Sequence, residues 1–390
     1  VRRLRRVPDR RGGAAVRRAE GPAVIAWRRQ YGDVIRRRMS RGDWRGLAAL
    51  AARWVGTALA PRLRRPVVGP ALATLLVTYR CNLRCRVCDL PDRAVARRRA
   101  GDRELDTAEL RRVLDDMRAI GSLGVGVTGG EPMLRDDLFD LLGHGARRGL
   151  HVHLNTDGFR MDDAAARATV ACGVESVNVS LDGASAGEHD LARGRRGAFD
   201  DAVAALAALR RARGDGPAPR LTAVTVLTAH NVDRVEAVAR TALAAGADRV
   251  GVIPVHDFGQ GEPAAAADRV ARGLDTLRRL RAEGVLDNSL AYLDLVPRAL
   301  RGEASPLRCY APYASVVVDC YGDVFPCFPF LERKQPIGRL PLARLWRSPA
   351  YQRERERLEA CRACLWNCHT EMNLVLPQAR GARAVAGAAP

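Results

Sequence analysis

The sequence predicts an α/β fold: a partial (β/α)6 TIM-like barrel followed by a small Cys-rich C-terminal domain made of a β-hairpin plus a helix. Three observations carry this expectation. Short β-rich segments alternate with helical patterns six times between residues 71 and 260. That alternation stops near residue 300. Finally, the cysteines are bunched: Cys81, Cys85 and Cys88 early, then Cys309, Cys320, Cys327, Cys361, Cys364 and Cys368 late, with Cys172 alone between.

The chain opens on a basic extension, expected over residues 1–70. It holds 19 arginines against four acidic residues, a net charge of +15 out of +20 for the whole chain. The remainder carries only +5, so the excess is local and no nucleic-acid partner is expected. Lys334 is the one lysine, a bias typical of a GC-rich coding sequence. Residues 1–20 read as disordered. Within Trp44–Leu63, Trp44, Leu47, Leu50, Ala51, Trp54, Val55, Ala58 and Leu59 recur at helical spacing. Two readings stand for this amphipathic helix: packing on the main domain, or contact with a membrane surface. Pro61, Pro66 and Pro70 then mark a linker.

The core is expected over residues 71–300. Candidate strands are Ala73–Thr78, Gly124–Thr128, His151–Asn155, Ser176–Leu181, Leu221–Leu227 and Arg249–Val255. Helical patterns lie between them at Thr107–Ile120, Asp136–Arg148, Ala164–Cys172, Ala198–Arg213 and Val232–Ala245. Short strands joined by helices imply parallel βα units. Six units fall short of the eight in a closed barrel, so the barrel is open, with its reactive groups at the C-terminal ends of the strands. Beyond residue 300, Ala314–Val318 and Val324–Phe328 flank a turn and predict a hairpin. A helix is expected over Pro341–Ala360, within a domain spanning 301–375, and residues 376–390 read as a flexible tail.

Hydrophobic residues make up 47% of the chain, enough for a packed core, yet no apolar run approaches the roughly 18–20 residues that span a bilayer. No signal-peptide pattern is evident, so a cytoplasmic location is expected. Cysteines at short spacings in such a chain favour metal or cluster ligation over disulfides.

Cys81, Cys85 and Cys88 stand at Cys-x3-Cys-x2-Cys spacing just after the first strand. Three thiolates are one ligand short of a four-iron, four-sulfur cluster and leave one iron open. Zinc is the competing assignment, with Asp89 as a fourth ligand, but zinc sites normally take their ligands in pairs. After the second strand comes Thr128-Gly129-Gly130-Glu131-Pro132. Its glycines allow a sharp turn and close approach to a ligand, and its carbonyls and the Glu131 carboxylate are acceptors for an ammonium group.

Together these motifs resemble the radical S-adenosylmethionine (radical SAM) superfamily over about residues 71–260. The resemblance implies that Cys81, Cys85 and Cys88 hold a [4Fe–4S] cluster whose fourth iron binds the amino and carboxylate groups of SAM. It implies that Gly129, Gly130 and Glu131 contact the methionine ammonium. Asn155 and Thr156, and Ser180 and Asp182 in Ser180-Leu181-Asp182-Gly183, match the family's positions for ribose and carboxylate contacts. Val252, Ile253 and Pro254 match the segment near adenine. Val87 departs from the aromatic residue often found beside the third cysteine. The implied activity is reductive cleavage of SAM to a 5′-deoxyadenosyl radical that abstracts hydrogen, with electrons from a partner such as flavodoxin or ferredoxin. Arg193 lies where similar enzymes place an arginine near SAM or substrate, although the plainer reading is a surface arginine.

The late cysteines resemble the SPASM/Twitch extension of radical SAM enzymes, through Gly322-Asp323-Val324-Phe325-Pro326-Cys327 and Cys361-Arg362-Ala363-Cys364. The full seven-cysteine pattern is incomplete, which implies one auxiliary [4Fe–4S] cluster. Cys309, Cys327, Cys361 and Cys364 match the shortened arrangement, with Cys368 able to replace one of them. Cys320 reads as a spare thiol and Cys172 as packing. His256 and Asp257 end the last strand, where they face either substrate or a loop hydrogen bond. The resemblance implies a radical SAM enzyme acting on a peptide or natural-product-like substrate, the alternative being a sugar, lipid or other small molecule. A non-catalytic iron–sulfur carrier or zinc module is the reading of another class, and a carrier needs no Gly-Gly-Glu-Pro element.

Overall fold

Six short segments with apolar residues at alternate positions line up side by side in the computed structural model, which describes residues 35, 39, 42–256, 265–332 and 336–377. They are β1 (Leu72–Leu76), β2 (Gly124–Thr128), β3 (His151–Thr156), β4 (Ser176–Ser180), β5 (Arg220–Leu227) and β6 (Arg249–Pro254). Every neighbouring pair is parallel and in sequence order. Parallel strands need crossovers, and helices supply them. The six expected strands are therefore all present, with ends shifted by one or two residues. The expected disorder of residues 1–20, the 376–390 tail beyond Pro377, and Asp257 lie outside the described residues.

The chain enters through α1 (Trp44–Leu63), whose Asp43 cap accepts a hydrogen bond from Gly46 N at 2.8 Å. After β1 come α2 (Leu90–Arg99) and α3 (Thr107–Ala119). Asp106 and Glu109 form a reciprocal capping box that fixes the start of α3. The remaining crossover helices are α4 (Leu138–Arg147), α5 (Asp163–Ala171), α6 (Ala186–Arg193), α7 (Ala198–Arg213) and α8 (Val235–Ala244). After β6 follow α9 (Ala267–Ala282) and the short α10 (Leu290–Leu293), α11 (Val296–Leu300) and α12 (Ala311–Ala314).

The two faces of the strands differ chemically. Val125, Val127, Val152, Leu154, Val177 and Val179 are fully buried in one core cluster together with Leu110, Leu114 and Leu141 of the helices. Each such side chain contributes about 1.5–3 kcal/mol when fully removed from water. The alternate residues Gly126, Thr128, His151, His153, Asn155 and Asn178 line a concave cavity of about 490 Å³. The inward faces of β2 to β4 thus carry several polar side chains where their outward faces are apolar, although the cavity also takes apolar residues such as Ile253, Phe328 and Trp366.

The C-terminal strands do not form a sheet of their own. β7 (Ser315–Val318) pairs parallel with β1, and the antiparallel β8 (Asp323–Phe325) and β9 (Gly338–Arg339) follow, giving one nine-stranded sheet. All four residues of β7 are buried. A strand apolar on both faces needs cover on both sides, and the free edge of β1 provides a neighbour. The expected hairpin is therefore joined to the sheet across the boundary expected at residue 300.

Helix α13 (Phe328–Glu332) precedes β9, and the helix expected over Pro341–Ala360 is two, α14 (Leu342–Leu345) and α15 (Pro349–Leu358). Ser348 caps the second, accepting from Tyr351 N at 3.2 Å, with Pro349 at its first position. Buried Arg355 fastens α15 by donating to the carbonyls of Pro312 and Trp346 while stacking on Tyr351 and Trp346 at 4.1 and 4.5 Å. The last helix, α16 (Asn367–Val375), lines the cavity through Asn367, Cys368, Glu371 and Met372. Among the described residues no helix is long and apolar enough to cross a membrane.

Candidate active site

Cys81, Cys85 and Cys88 lie on the loop that leaves the C-terminal end of β1. The loop is held from two sides. Arg84 N and Arg86 N donate to the carbonyls of Arg193 and Ala192, at the end of α6, at 3.2 and 3.4 Å. From the adjacent strand β2, Gly130 N donates to Thr78 O at 2.8 Å and Glu131 N to Arg80 O at 2.9 Å. The Gly129–Glu131 turn is in effect a rung of backbone pairing against the cysteine loop. Glycine is required there: a Cβ on Gly129 would sit 2.3 Å from Thr78 O, and one on Gly130 would sit 2.1 Å from Arg80 O. Gly129 also takes φ +155°, which other residues rarely adopt.

Behind this turn is a buried acidic pair. Glu131 accepts from Met133 N (2.9 Å), Thr156 Oγ1 (2.8 Å) and Asp157 N (2.7 Å). Burial first, then the Asp157 carboxylate, pushes Glu131 well above the usual carboxylate range. Burial raises Asp157 as well. On the far side, Arg193 pairs with Asp182 at 2.8 Å. Burial opposes the charge of Arg193, but Asp182, Cys85 and Asp157 outweigh it and hold the guanidinium pKa above its ordinary value. Arg193 is only 12% exposed, so the surface reading does not hold. Asp182 Oδ1 accepts from Val226 N at 2.8 Å, and its backbone N–H donates to His189 Nδ1 at 3.0 Å.

The other expected positions fall as follows. Asn155 lines the cavity and accepts from Asn178 Nδ2 at 2.8 Å. Ser180 ends β4. Ile253 faces the cavity, whereas Val252 packs into the outer core and its backbone is bracketed by Asn288 at 2.8 and 3.0 Å. Pro254 closes β6. Asp157, His189 and Asn288 escaped the sequence reading because isolated polar residues beside strands carry no motif. The Thr156-Asp157-Gly158 turn after β3 was the one available signal.

The residues present suit a cluster and a zwitterionic ligand. Burial pushes the Cys81 thiol up to about 12 and also raises Cys85. Buried thiols become thiolates when a metal compensates their charge. Asp157 Oδ2 and Arg193 Nε are buried without a hydrogen-bond partner, one acceptor and one donor beside these thiols. Among the described residues no three His, Cys, Asp or Glu side chains converge on a single metal ion. A cluster spreads its ligands over different irons and does not need such convergence.

The late cysteines form a second group. Cys309 is pushed up to about 12 by burial and by its neighbours Cys364 and Cys361. Cys327 and Cys361 pack on the same small apolar cluster as Phe328. Cys368, likewise pushed up to about 12 by burial, neighbours Cys364 and also lines the barrel cavity. Cys320 stands apart. It is buried in the turn between β7 and β8, with Sγ 3.6 Å from Glu104 Oε1. Glu104 in turn accepts from Thr78 Oγ1 at 2.7 Å and Tyr79 N at 2.9 Å. Tyr79 donates to buried Asp319 at 2.6 Å. This network ties the first cysteine loop to the C-terminal hairpin. Cys172 donates to Phe139 O at 3.1 Å and packs against the core.

Comparison with known proteins agrees with this geometry. The family model of the radical SAM superfamily matches residues 75–242, and that of an iron–sulfur cluster-binding (SPASM) domain matches 309–369. PqqA peptide cyclase of Xanthomonas campestris pv. campestris (strain B100) is 32% identical over 271 residues, 67% of this chain and 68% of the relative. Among solved structures, SuiB of Streptococcus suis bound to precursor peptide SuiA superposes with a TM-score of 0.56 at 19% identity, covering 76% of this chain and 70% of that one. Native anSMEcpe with bound AdoMet gives 0.55 at 17% identity, covering 74% and 83%. At these identities the structural likeness speaks for the fold.

Proposed function

We propose, from the premise that this chain belongs to the radical SAM superfamily and is an enzyme with a SPASM-type C-terminal domain, that it abstracts hydrogen from a peptide substrate. Its cofactors are SAM and a [4Fe–4S] cluster, with auxiliary iron–sulfur in the SPASM domain. The observation that carries the reading is the Gly129–Glu131 turn paired directly onto the cysteine loop. It sets a potential ligand-binding edge against three thiols that leave one cluster iron open.

In this reading Cys81, Cys85 and Cys88 hold the cluster and Gly129, Gly130 and Glu131 orient the methionine end of SAM. Asn155, Thr156, Ser180 and Asp182 serve its ribose and carboxylate, and Val252–Pro254 the adenine. When bound, the cluster and SAM supply a 5′-deoxyadenosyl radical. The protein's part is orientation and exclusion of water: the carbonyls of Ala192 and Arg193 hold the cysteine loop, the Arg193–Asp182 pair fixes that end of α6, and α16 lines the cavity. Cys309, Cys327, Cys361 and Cys364 hold one auxiliary cluster, with Cys368 as the alternative ligand. Cys88 is exposed, which leaves the first cluster approachable by a flavodoxin- or ferredoxin-like reductant.

Support for a peptide substrate comes from the peptide cyclase relatives. The test is anaerobic incubation with SAM, dithionite and a small peptide encoded beside the gene, read by mass spectrometry and by 5′-deoxyadenosine yield. The expected result is peptide-dependent 5′-deoxyadenosine with a mass change or solvent deuterium in the peptide. Turnover of SAM that a sugar or lipid stimulates and no such peptide does would refute the peptide assignment.

A further inference from the structure

Helix α1 carries apolar residues on two sides, and among the described residues only one of them is covered. Its inner side, through Leu50, Arg53, Trp54 and Thr57, lines the barrel cavity together with Leu72, Gly124, His151, Ser176 and Arg220, the first residues of their strands. The helix therefore plugs the N-terminal end of the barrel, opposite the cysteine loop. Its outer side exposes Trp44 (66%), Val55 (48%), Leu59 (38%) and Leu63 (49%). Residues 44, 55 and 59 lie within one narrow arc at 100° per residue, and Ala48, Ala51 and Ala52 fill the space between them. Seven of the nine exposed large apolar side chains among the described residues lie between Met39 and Val67. A helix on a water-facing surface normally carries charge on that arc.

The charge around this stripe has one sign. α1 contains no acidic residue, and residues 42–70 hold five arginines against the single acid Asp43. Arg62, Arg64 and Arg65 are exposed at the C-terminal end of the stripe. Including the residues before it, the first 70 positions carry +15. Two copies of such a surface would repel each other. A bilayer rich in anionic headgroups satisfies both features, taking tryptophan and aliphatic side chains into its interface and arginines at the phosphate level. We propose that α1 is a membrane-docking face that seats this enzyme on an anionic lipid surface. With Arg45, Arg53 and Arg62 in its sequence, α1 is not apolar enough to cross the bilayer. Docked in this way, the protein turns the N-terminal end of its barrel to the lipid and leaves the cysteine loop facing water.

The experiment is sedimentation of the full-length, cluster-loaded protein with phosphatidylcholine vesicles, with and without phosphatidylglycerol. Binding is expected only with phosphatidylglycerol, and it should weaken as salt rises. The triple variant Arg62→Gln, Arg64→Gln, Arg65→Gln should bind about a hundredfold more weakly, roughly fivefold per arginine. The triple variant Trp44→Ser, Val55→Ser, Leu59→Ser should lose at least about tenfold. These positions are exposed, so circular dichroism and iron content should match the parent. Binding unchanged by the apolar triple would show that basic residues elsewhere hold the protein electrostatically, and would overturn the proposal. Absence of binding to anionic vesicles would overturn it too, as would a dimer in light scattering that the same substitutions disperse. None of these readouts needs the peptide assignment to be right.

Discussion

Substituting Gly130 by alanine tests the contact on which the site depends. The added Cβ would lie 2.1 Å from Arg80 O, 2.6 Å from Arg80 C and 2.8 Å from Tyr79 O. All three are backbone atoms, so no side-chain rotamer relieves the clash. Ordinary contact requires about 1 Å more separation, and the turn must pull away from the cysteine loop by about that much. Both bridging hydrogen bonds, Gly130 N to Thr78 O and Glu131 N to Arg80 O, are then stretched beyond use. Two net hydrogen bonds at about 1 kcal/mol each, with part of the cost of leaving buried groups unpaired, give a loss of about 2–4 kcal/mol. Urea denaturation of the apoprotein reads the stability, and iron and sulfide analysis after reconstitution reads the site. Gly126→Ala is the control, because its Cβ would meet nothing closer than Ala73 O at 3.9 Å. The expected result is a clear loss of stability and of iron at the first cluster for Gly130→Ala, with neither in the control. Stability within about 0.5 kcal/mol of the parent and unchanged iron in Gly130→Ala would refute the reasoning.

Three further outcomes follow from the same contacts. Arg193→Gln leaves Asp182 buried without its partner at 2.8 Å, so urea denaturation should show a loss of about 3–5 kcal/mol, with poorer cluster uptake by iron analysis. Burial lowers the His189 pKa from 6.5 to about 4, and its Nδ1 must stay unprotonated to accept from Asp182 N. A histidine depressed in the folded state contributes stability that is full above the unfolded value near 6.5 and lost as pH falls toward 4. Denaturation at pH 7.5 and at pH 5 should therefore show a smaller drop in His189→Gln than in the parent, up to about 2 kcal/mol smaller. Gly187, inside α6, would place a Cβ in open space, so Gly187→Ala should stabilise by about 0.5–1 kcal/mol in the same assay without altering iron content.

The barrel was legible in the sequence because each strand announces itself twice, by alternation of apolar residues and by a helical pattern on either side. The cysteine triplet and the Gly-Gly-Glu-Pro turn were legible because several unusual residues fall at fixed short spacings. Helices α2 and α6 were not foreseen. They sit in Arg-rich or mixed stretches with few buried positions, and packing rather than propensity decides them. The amphipathic run over Pro341–Ala360 reads as one helix, but Ser348-Pro349 inside it caps a new start and divides it in two. That β7 pairs with β1 was invisible for a different reason: pairing between strands about 240 residues apart leaves no local signature. The same holds for Tyr79 and Asp319, which meet only because that edge is filled.

The most direct measurement is electron paramagnetic resonance of the reconstituted, dithionite-reduced protein with and without SAM, together with assay for 5′-deoxyadenosine. The account predicts a [4Fe–4S] signal with a component that changes on adding SAM, a component lost when Cys81, Cys85 and Cys88 are changed to alanine while that of the auxiliary cluster remains, and 5′-deoxyadenosine formed alongside it. A signal indifferent to SAM, with no 5′-deoxyadenosine formed, would contradict the claim that the first cluster keeps an iron open for chemistry.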